Sequence, residues 1–361
     1  MGALAQWHCE IHVRVFDDPY EADHIIPLAH GAVTRSAISG LSAKGAMAKS
    51  AWRPTPGEDV VGIAEVADWR LPDKNFLDVF RSPAKTGKGP LARANPFPRE
   101  NRVSFDEQAH RYEIDGVVSP RSVTGMLHAY ADPFDSKRAV ESMRSGYAWE
   151  ERRAEFEALG VNADLDGELE KYWRFAGEVA RARGTLLHYH AEQAANARRV
   201  EEPHSPEFSQ VLRLLQEFDE RGWTPYRAEL NLFHCGLRCA GQPDLLCKDA
   251  DGRIVIVDWK RVPKLSFENR YSALHYPLSH LPASSYWLYA LQCNVYRLFL
   301  ETEYAMPVAS MWLGIVHPRC TKSRLLEIPR MDKEMEALLE HEIQSGRATP
   351  SMPLDAPFTL L

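Results

Sequence analysis

No apolar run in this 361-residue chain approaches the roughly 20 residues that a membrane-spanning helix needs. That excludes helical membrane insertion from the sequence and leads us to expect a soluble protein. Cysteine is sparse: six residues, at positions 9, 235, 239, 247, 293 and 320, are scattered along the whole length. Such spacing is no disulfide framework, and a reducing, intracellular compartment is the expectation. A secretory pattern is missing from the start, where Glu10, Asp17, Asp18, Glu21 and Asp23 also argue against a transit peptide. Positive charge is not in excess either. Lys and Arg total 43 against 50 Asp and Glu, a net −7, which speaks against a general nucleic-acid coat but leaves room for a basic groove.

What the chain does have is one stretch on which the rest converges, Cys239 to Arg261. Two apolar runs flank Asp251-Gly252, the strongest short-range hairpin signal. Folding back about this dipeptide sets position 244 opposite 258 if the loop has three residues, or opposite 259 if it has two. Asp244 and Asp258 then stand side by side on neighbouring strands. Asp258 and Lys260 are two apart and share a face of their strand. The adjoining Ile254-Val255-Ile256-Val257 reads as buried on both faces, where charge is expensive unless paired or bound to a metal. Carboxylate oxygens in such a pocket suit Mg²⁺ or Mn²⁺. The bland alternative is a buried ion pair within a hairpin.

Around this hairpin the chain reads as follows. Residues 1–100 form a poorly defined extension that ends in a Pro-, Gly- and base-rich linker from about 82. Asp23-His24 and the residues after it resemble the first half of an HNH-nuclease motif. The downstream Asn and the closing His or Asn do not stand at suitable spacing, so a chance or decayed remnant is expected. Phe105 to Val118 suggests a hairpin turning at Asp115-Gly116. Ser119 or Ser122 caps the helix that follows. Residues 136–158 and 166–199 read as long amphipathic helices, the second placing His188 and Glu192 on one face. A lone helical His is more often structural, but Gly184 and Glu192 beside it raise its interest. Residues 207–220 read as a helix and Tyr226 to Phe233 as a strand, on which Glu229 is either a site member or a solvated carboxylate. A long loop over 262–285, a helix from Tyr286 to Glu303 with Gln292 and Tyr296 on one face, a strand from Val308 to Val316 and a helix over 331–345 complete the reading. The domain expected to carry function is 101–345, with a tail at 346–361.

Three motifs in order, Gly184-Thr185 through His188 to Glu192, Gly241-Gln242-Pro243-Asp244 with Asp258-Trp259-Lys260, and Gln292 with Tyr296, resemble the PD-(D/E)XK nuclease superfamily, in particular its RecB-like branch. The wider region, 103–320, is similar to mitochondrial genome maintenance exonuclease and related viral and phage exonucleases. The resemblance implies an α/β, restriction-endonuclease-like core, a central mixed β-sheet flanked by helices. It implies that Asp244, Asp258 and the carbonyl of Trp259 ligate a metal, joined by His188, and that Lys260 orients or activates water. Gln292 and Tyr296 would position DNA or the lysine. Glu192 would contact a second metal or a ligated water, and Arg183 a phosphate. Some relatives carry an iron–sulfur cluster; only Cys320 follows Cys293 here, so none is expected.

The activity implied is a metal-dependent DNA exonuclease acting on free single-stranded or flap ends in replication, repair or recombination. Aromatic residues between Tyr271 and Tyr289, including Tyr276, Tyr286 and Trp287, suit either stacking of unpaired bases or plain packing. Alternatives are a duplex-end recombination exonuclease, a catalytically silent DNA-binding module of the same fold, and a site-specific endonuclease using the Asp23-His24 segment.

Overall fold

The computed structural model describes residues 89–349 except 107, 108, 110, 199–205 and 321. The Asp23-His24 motif and the C-terminal tail from 350 lie outside the described residues. The chain divides into two units, one holding Phe134–Ala182 and the other Phe80–Pro133 with Arg183–Leu361.

In chain order the elements are α1 (Pro90–Ala94), a 3-10 turn (Pro98–Arg102), β1 (Val103–Asp106), β2 (Arg111–Ile114), β3 (Val117–Val118), β4 (Arg121–Ser122) and α2 (Val123–His128). Then come α3 (Ser136–Arg144), α4 (Trp149–Ala158), α5 (Glu168–Ala195), α6 (Pro206–Glu220), β5 (Thr224–Ala228), β6 (Leu232–His234) and β7 (Cys239–Gly241). The remainder is β8 (Leu245–Lys248), β9 (Ile254–Arg261), α7 (Ser285–Glu303), β10 (Val308–Val316), β11 (Arg324–Ile328) and α8 (Asp332–Gln344). Among the described residues no helix is long and apolar enough to cross a membrane.

The smaller unit is helical. Val140, Met143, Phe156, Leu169, Tyr172 and Trp173 form its core. The expected helix over 136–158 is in fact two. It breaks after Arg144, where Ser145 N–H returns to the Glu141 carbonyl and Gly146 N–H to that of Met143.

The larger unit is built on a five-stranded sheet in the order β11-β10-β9-β8-β5. β9 sits at its centre and is buried along almost its whole length, consistent with the unbroken apolar run Ile254-Val257. It pairs antiparallel with β8 and parallel with β10, so the sheet is mixed. Val211, Leu214 and Phe218 from α6 pack on one face with Val255, Val257 and Trp259. The turn from β8 to β9 is the three-residue alternative. Asp249 N–H donates to the Arg253 carbonyl at 3.0 Å, Gly252 takes φ +76°, and Leu245 pairs with Val257. Position 244 therefore falls opposite 258.

Two smaller sheets complete the unit, β1-β2-β3 and β4-β7-β6. Asp115 and Gly116 both adopt left-handed backbone at the expected turn. Ser122 caps α2 through its hydroxyl, which accepts from Gly125 N–H at 3.0 Å. The strand expected from Tyr226 to Phe233 divides, because Glu229 is left-handed with φ +50° and the two halves join different sheets. Likewise Cys239–Gly241 does not continue into the hairpin but pairs with β6 and β4. Within the stretch read as a linker, residues 89–102 are folded: Asn95 Nδ2 donates to the Tyr226 carbonyl, and buried Arg227 donates to the Asn95 carbonyl and to Glu100.

Candidate active site

The register places Asp244 immediately before β8 and Asp258 late in β9, and both are buried. Asp244 is gripped from two sides. Trp259 backbone N–H donates to its Oδ2 at 2.6 Å, and His188 Nδ1 lies 3.0 Å from its Oδ1. The pleat explains the first contact, since Trp259 N follows Asp258 across from Asp244. The helical position of His188 on α5 supplies the second. Lys260 is also tied down. Its Nζ stands 2.6 Å from Asp258 Oδ2, donates to Gln292 Oε1 at 3.2 Å and lies 4.4 Å from the centre of the Tyr289 ring. Gln292 Nε2 donates in turn to the Tyr296 hydroxyl at 3.0 Å, as their spacing of four on α7 allows.

The two aspartates titrate in opposite directions. Burial would raise Asp244, but His188, Lys260 and the Trp259 N–H outweigh it and hold the carboxyl below its usual range. Burial raises Asp258, and neighbouring Asp244 adds to that against the pull of Lys260. Burial also opposes the charge on Lys260 and on His188, yet the aspartates, chiefly Asp258 for the lysine and Asp244 for the histidine, raise both. Lys260 is therefore a held ammonium rather than a ready base. Tyr296 is raised by burial and then by Asp258, so its phenol stays protonated.

One carboxylate left open by the sequence joins this group. Donor atoms of His188, Glu229 and Asp244 all lie within 4.8 Å of one another. The left-handed backbone of Glu229 brings it there. Its N–H donates to the Asp244 carbonyl at 3.0 Å, and Gln242 Nε2 donates to its carbonyl at 2.9 Å. An imidazole with two carboxylates is a hard, anionic donor set of the kind that suits Mg²⁺ or Mn²⁺. Asp258 lies outside the trio. Its buried Oδ2 is held by the Lys260 ammonium at 2.6 Å. The donor set of the trio fits a divalent metal.

Other candidates are placed differently. Glu192, one turn beyond His188, is half-buried and is not in the trio. Arg183 donates to Glu207 Oε1 at 3.0 Å, the same oxygen that receives Arg261 Nε and Nη2. Burial would raise Glu207, but Arg261 and Arg183 together lower it, so this arginine is engaged in a buried ion-pair network. A Cβ at Gly184 would meet no protein atom within 4 Å. Gly241 does need its hydrogen, since a Cβ would come within 2.7 Å of both the Tyr296 ring and Val123. Tyr289, read from the sequence only as part of the aromatic stretch, precedes Gln292 by three, shares its helical face and lies against Lys260.

Comparison with known proteins agrees with this geometry at the level of family. The family model described as the PD-(D/E)XK nuclease superfamily matches residues 128–355, more than half of the chain. No curated protein matches. Among solved structures, SSO0001 is 12% identical, with 56% of this chain and 71% of that one covered at a TM-score of 0.24. A Eubacterium rectale protein provisionally named an exonuclease is 8% identical, with 51% of this chain and 78% of that one covered at a TM-score of 0.28. At such scores neither neighbour carries weight. The family match and the motif residues on the central strands of a mixed, helix-flanked sheet do: the chain belongs to the PD-(D/E)XK nuclease superfamily, restriction-endonuclease-like enzymes that hydrolyse phosphodiester bonds and generally use divalent metals.

Proposed function

We propose that the protein is a metal-dependent DNA exonuclease that attacks free single-stranded or flap ends during replication, repair or recombination, with a RecB-like site. The observation that carries this reading is the convergence of His188, Glu229 and Asp244 within 4.8 Å, beside an Asp258–Lys260 pair of 2.6 Å. His188, Glu229 and Asp244 would hold Mg²⁺ or Mn²⁺, with Asp258 and the Trp259 carbonyl as further ligands. A bound divalent cation supplies water activation and charge neutralisation at the leaving oxygen.

The side chains do the rest. Lys260, fixed by Asp258, Gln292 and the Tyr289 ring, presents a cation that orients the attacking water and offsets charge developing on the phosphate. Gln292 and Tyr296 hold the lysine in that position. Trp259 N–H keeps Asp244 ionised and aimed. Histidine at 188 serves best as a site member when neutral, so metal binding would displace the proton it shares with Asp244.

The test uses end-labelled single-stranded, duplex, flap and circular DNA with Mg²⁺ or Mn²⁺, and compares the wild type with Lys260→Ala. Degradation of linear single strands and flaps, survival of circles and loss of activity in the variant are expected. Cleavage of circles would refute the end requirement. Equal inertness of both proteins would favour a silent binding module, and attack on duplex ends alone a recombination exonuclease.

A further inference from the structure

The loop that follows the catalytic strand is not loosely held. Ser266 N–H donates to the Ser285 hydroxyl, and Tyr286 N–H donates to the Ser266 carbonyl, which fixes the loop to the first turn of α7. Asn269 closes its centre: Nδ2 donates to the Ala283 carbonyl at 2.7 Å, and Oδ1 accepts from the backbone of Tyr271 and Ser272. Ala273 and Pro282 form a bridge across the base. Yet this ordered loop keeps large aromatic groups in water. Phe267 is 44% exposed and Tyr271 53% exposed, with exposed Lys264, Glu268 and Arg270 near them in the chain.

Phe267 has a defined seat. Its ring lies 4.4 Å, centroid to centroid, from that of buried Tyr286, which in turn packs edge-on to Trp287. Tyr286, Tyr289, Gln292 and Tyr296 follow one another at helical spacing along one face of α7. Tyr289 lies against Lys260 Nζ. Phe267 is thus stacked on Tyr286, which lies three residues, roughly 4.5 Å along the axis, from the residue that touches the catalytic ammonium. An exposed ring on a rigid base, in line with the helix face that carries the site residues, is the arrangement that stacks unpaired bases.

We propose that Phe267, backed by Tyr286, is a base-stacking subsite for single-stranded DNA beside the scissile phosphate. The proposal rests on the nuclease reading above and assigns the residue that selects unpaired substrate. A paired base inside a duplex keeps both faces covered by its neighbours, and only a terminal pair leaves one open to a ring.

The experiment separates stacking from cleavage by measuring binding in EDTA. Fluorescence anisotropy of the full chain is recorded with a labelled thymidine oligonucleotide of about 12 residues and with an abasic strand of the same length. The wild type should prefer the thymidine strand by about tenfold. Phe267→Ala should lose that preference while binding the abasic strand as before, and Phe267→Trp should retain it. A wild type indifferent to bases, or an alanine variant with the preference intact, overturns the proposal. Nuclease activity is scored independently with Mg²⁺: an inert wild type that still prefers thymidine refutes the nuclease reading and leaves the subsite standing.

Discussion

Replacing Gly314 with alanine should damage the site from the neighbouring strand. Gly314 lies on β10 directly beside Trp259 in the parallel register. A Cβ built at this position would stand 2.4 Å from Trp259 Cε3 and 2.5 Å from Cζ3, where ordinary contact begins at 3.4 Å. The overlap of 3.4 − 2.4, or 1.0 Å, falls on the face of a rigid ring. That ring has nowhere to go: Trp259 is 2% exposed and stacked at 6.0 Å on Phe218. Overpacking of this kind costs about 1–3 kcal/mol. One kcal/mol shifts the melting temperature of a domain of this size by about 2–4 °C, so a loss of roughly 2–12 °C is expected. The same displacement moves the Trp259 N–H that holds Asp244. An error near 1 Å at a catalytic group costs on the order of 100-fold in rate. Differential scanning calorimetry and single-strand degradation assays measure the two effects, with Gly177→Ala as control, since a Cβ at that helical glycine meets nothing within 4 Å. Wild-type melting and activity in Gly314→Ala would refute the packing argument; normal melting with lost activity would confine the effect to Asp244.

Two further predictions concern buried charge. Lys260→Met strands the Asp258 carboxylate in the interior and should lower stability by about 3–5 kcal/mol. Adding Asp258→Asn should recover most of that loss in urea unfolding while leaving the enzyme inactive, and strictly additive losses would show that the pair is not coupled. His234 is pushed down to about 4, first by burial and then by Arg99, and its Nδ1 accepts Leu237 N–H at 3.1 Å. Because the folded state binds this proton less tightly than the unfolded chain, whose pKa is about 6.5, the stabilisation is complete above pH 6.5 and is lost as pH falls toward 4. The loss should amount to roughly 2–3 kcal/mol. Urea midpoints across that range should fall more steeply for the wild type than for His234→Gln, and parallel curves would exclude this residue as the source.

How much could be read beforehand depended on whether a feature is local. The β8–β9 hairpin was legible to within one residue of register because Asp251-Gly252 and the flanking apolar runs mark it within about twenty residues, and with it came the neighbourhood of Asp244, Asp258 and Lys260. The spacing of Gln292 and Tyr296 on one helix was legible for the same reason. Glu229 was not, because alternation between Tyr226 and Phe233 favours an unbroken strand, while the left-handed turn at Glu229 is held by the carbonyl of Asp244 and the side chain of Gln242, contacts that no periodicity reports. Arg183 looked like a phosphate contact because nothing near it in sequence shows that Glu207 lies against it. β11 was missed altogether: its half-exposed residues carry a weak pattern, and its place at the sheet edge is defined by pairing with β10.

The parallel pairing of β9 with β10 also bears on how the enzyme comes to be active. Ile254 aligns with Val308, and Arg261 with Val316, so the central strand waits for a partner made more than fifty residues later, beyond the whole of α7. Closing so long a loop must precede any reward from the contacts it allows, which makes such topologies slow to fold. A nascent chain that has already emerged past Lys260 holds every acidic and basic group of the hairpin, yet lacks the strand that clamps Trp259 and the helix that carries Gln292 and Tyr296. Competence for nuclease chemistry therefore arrives late in synthesis, and incomplete chains carry the motif without the elements that hold it in place.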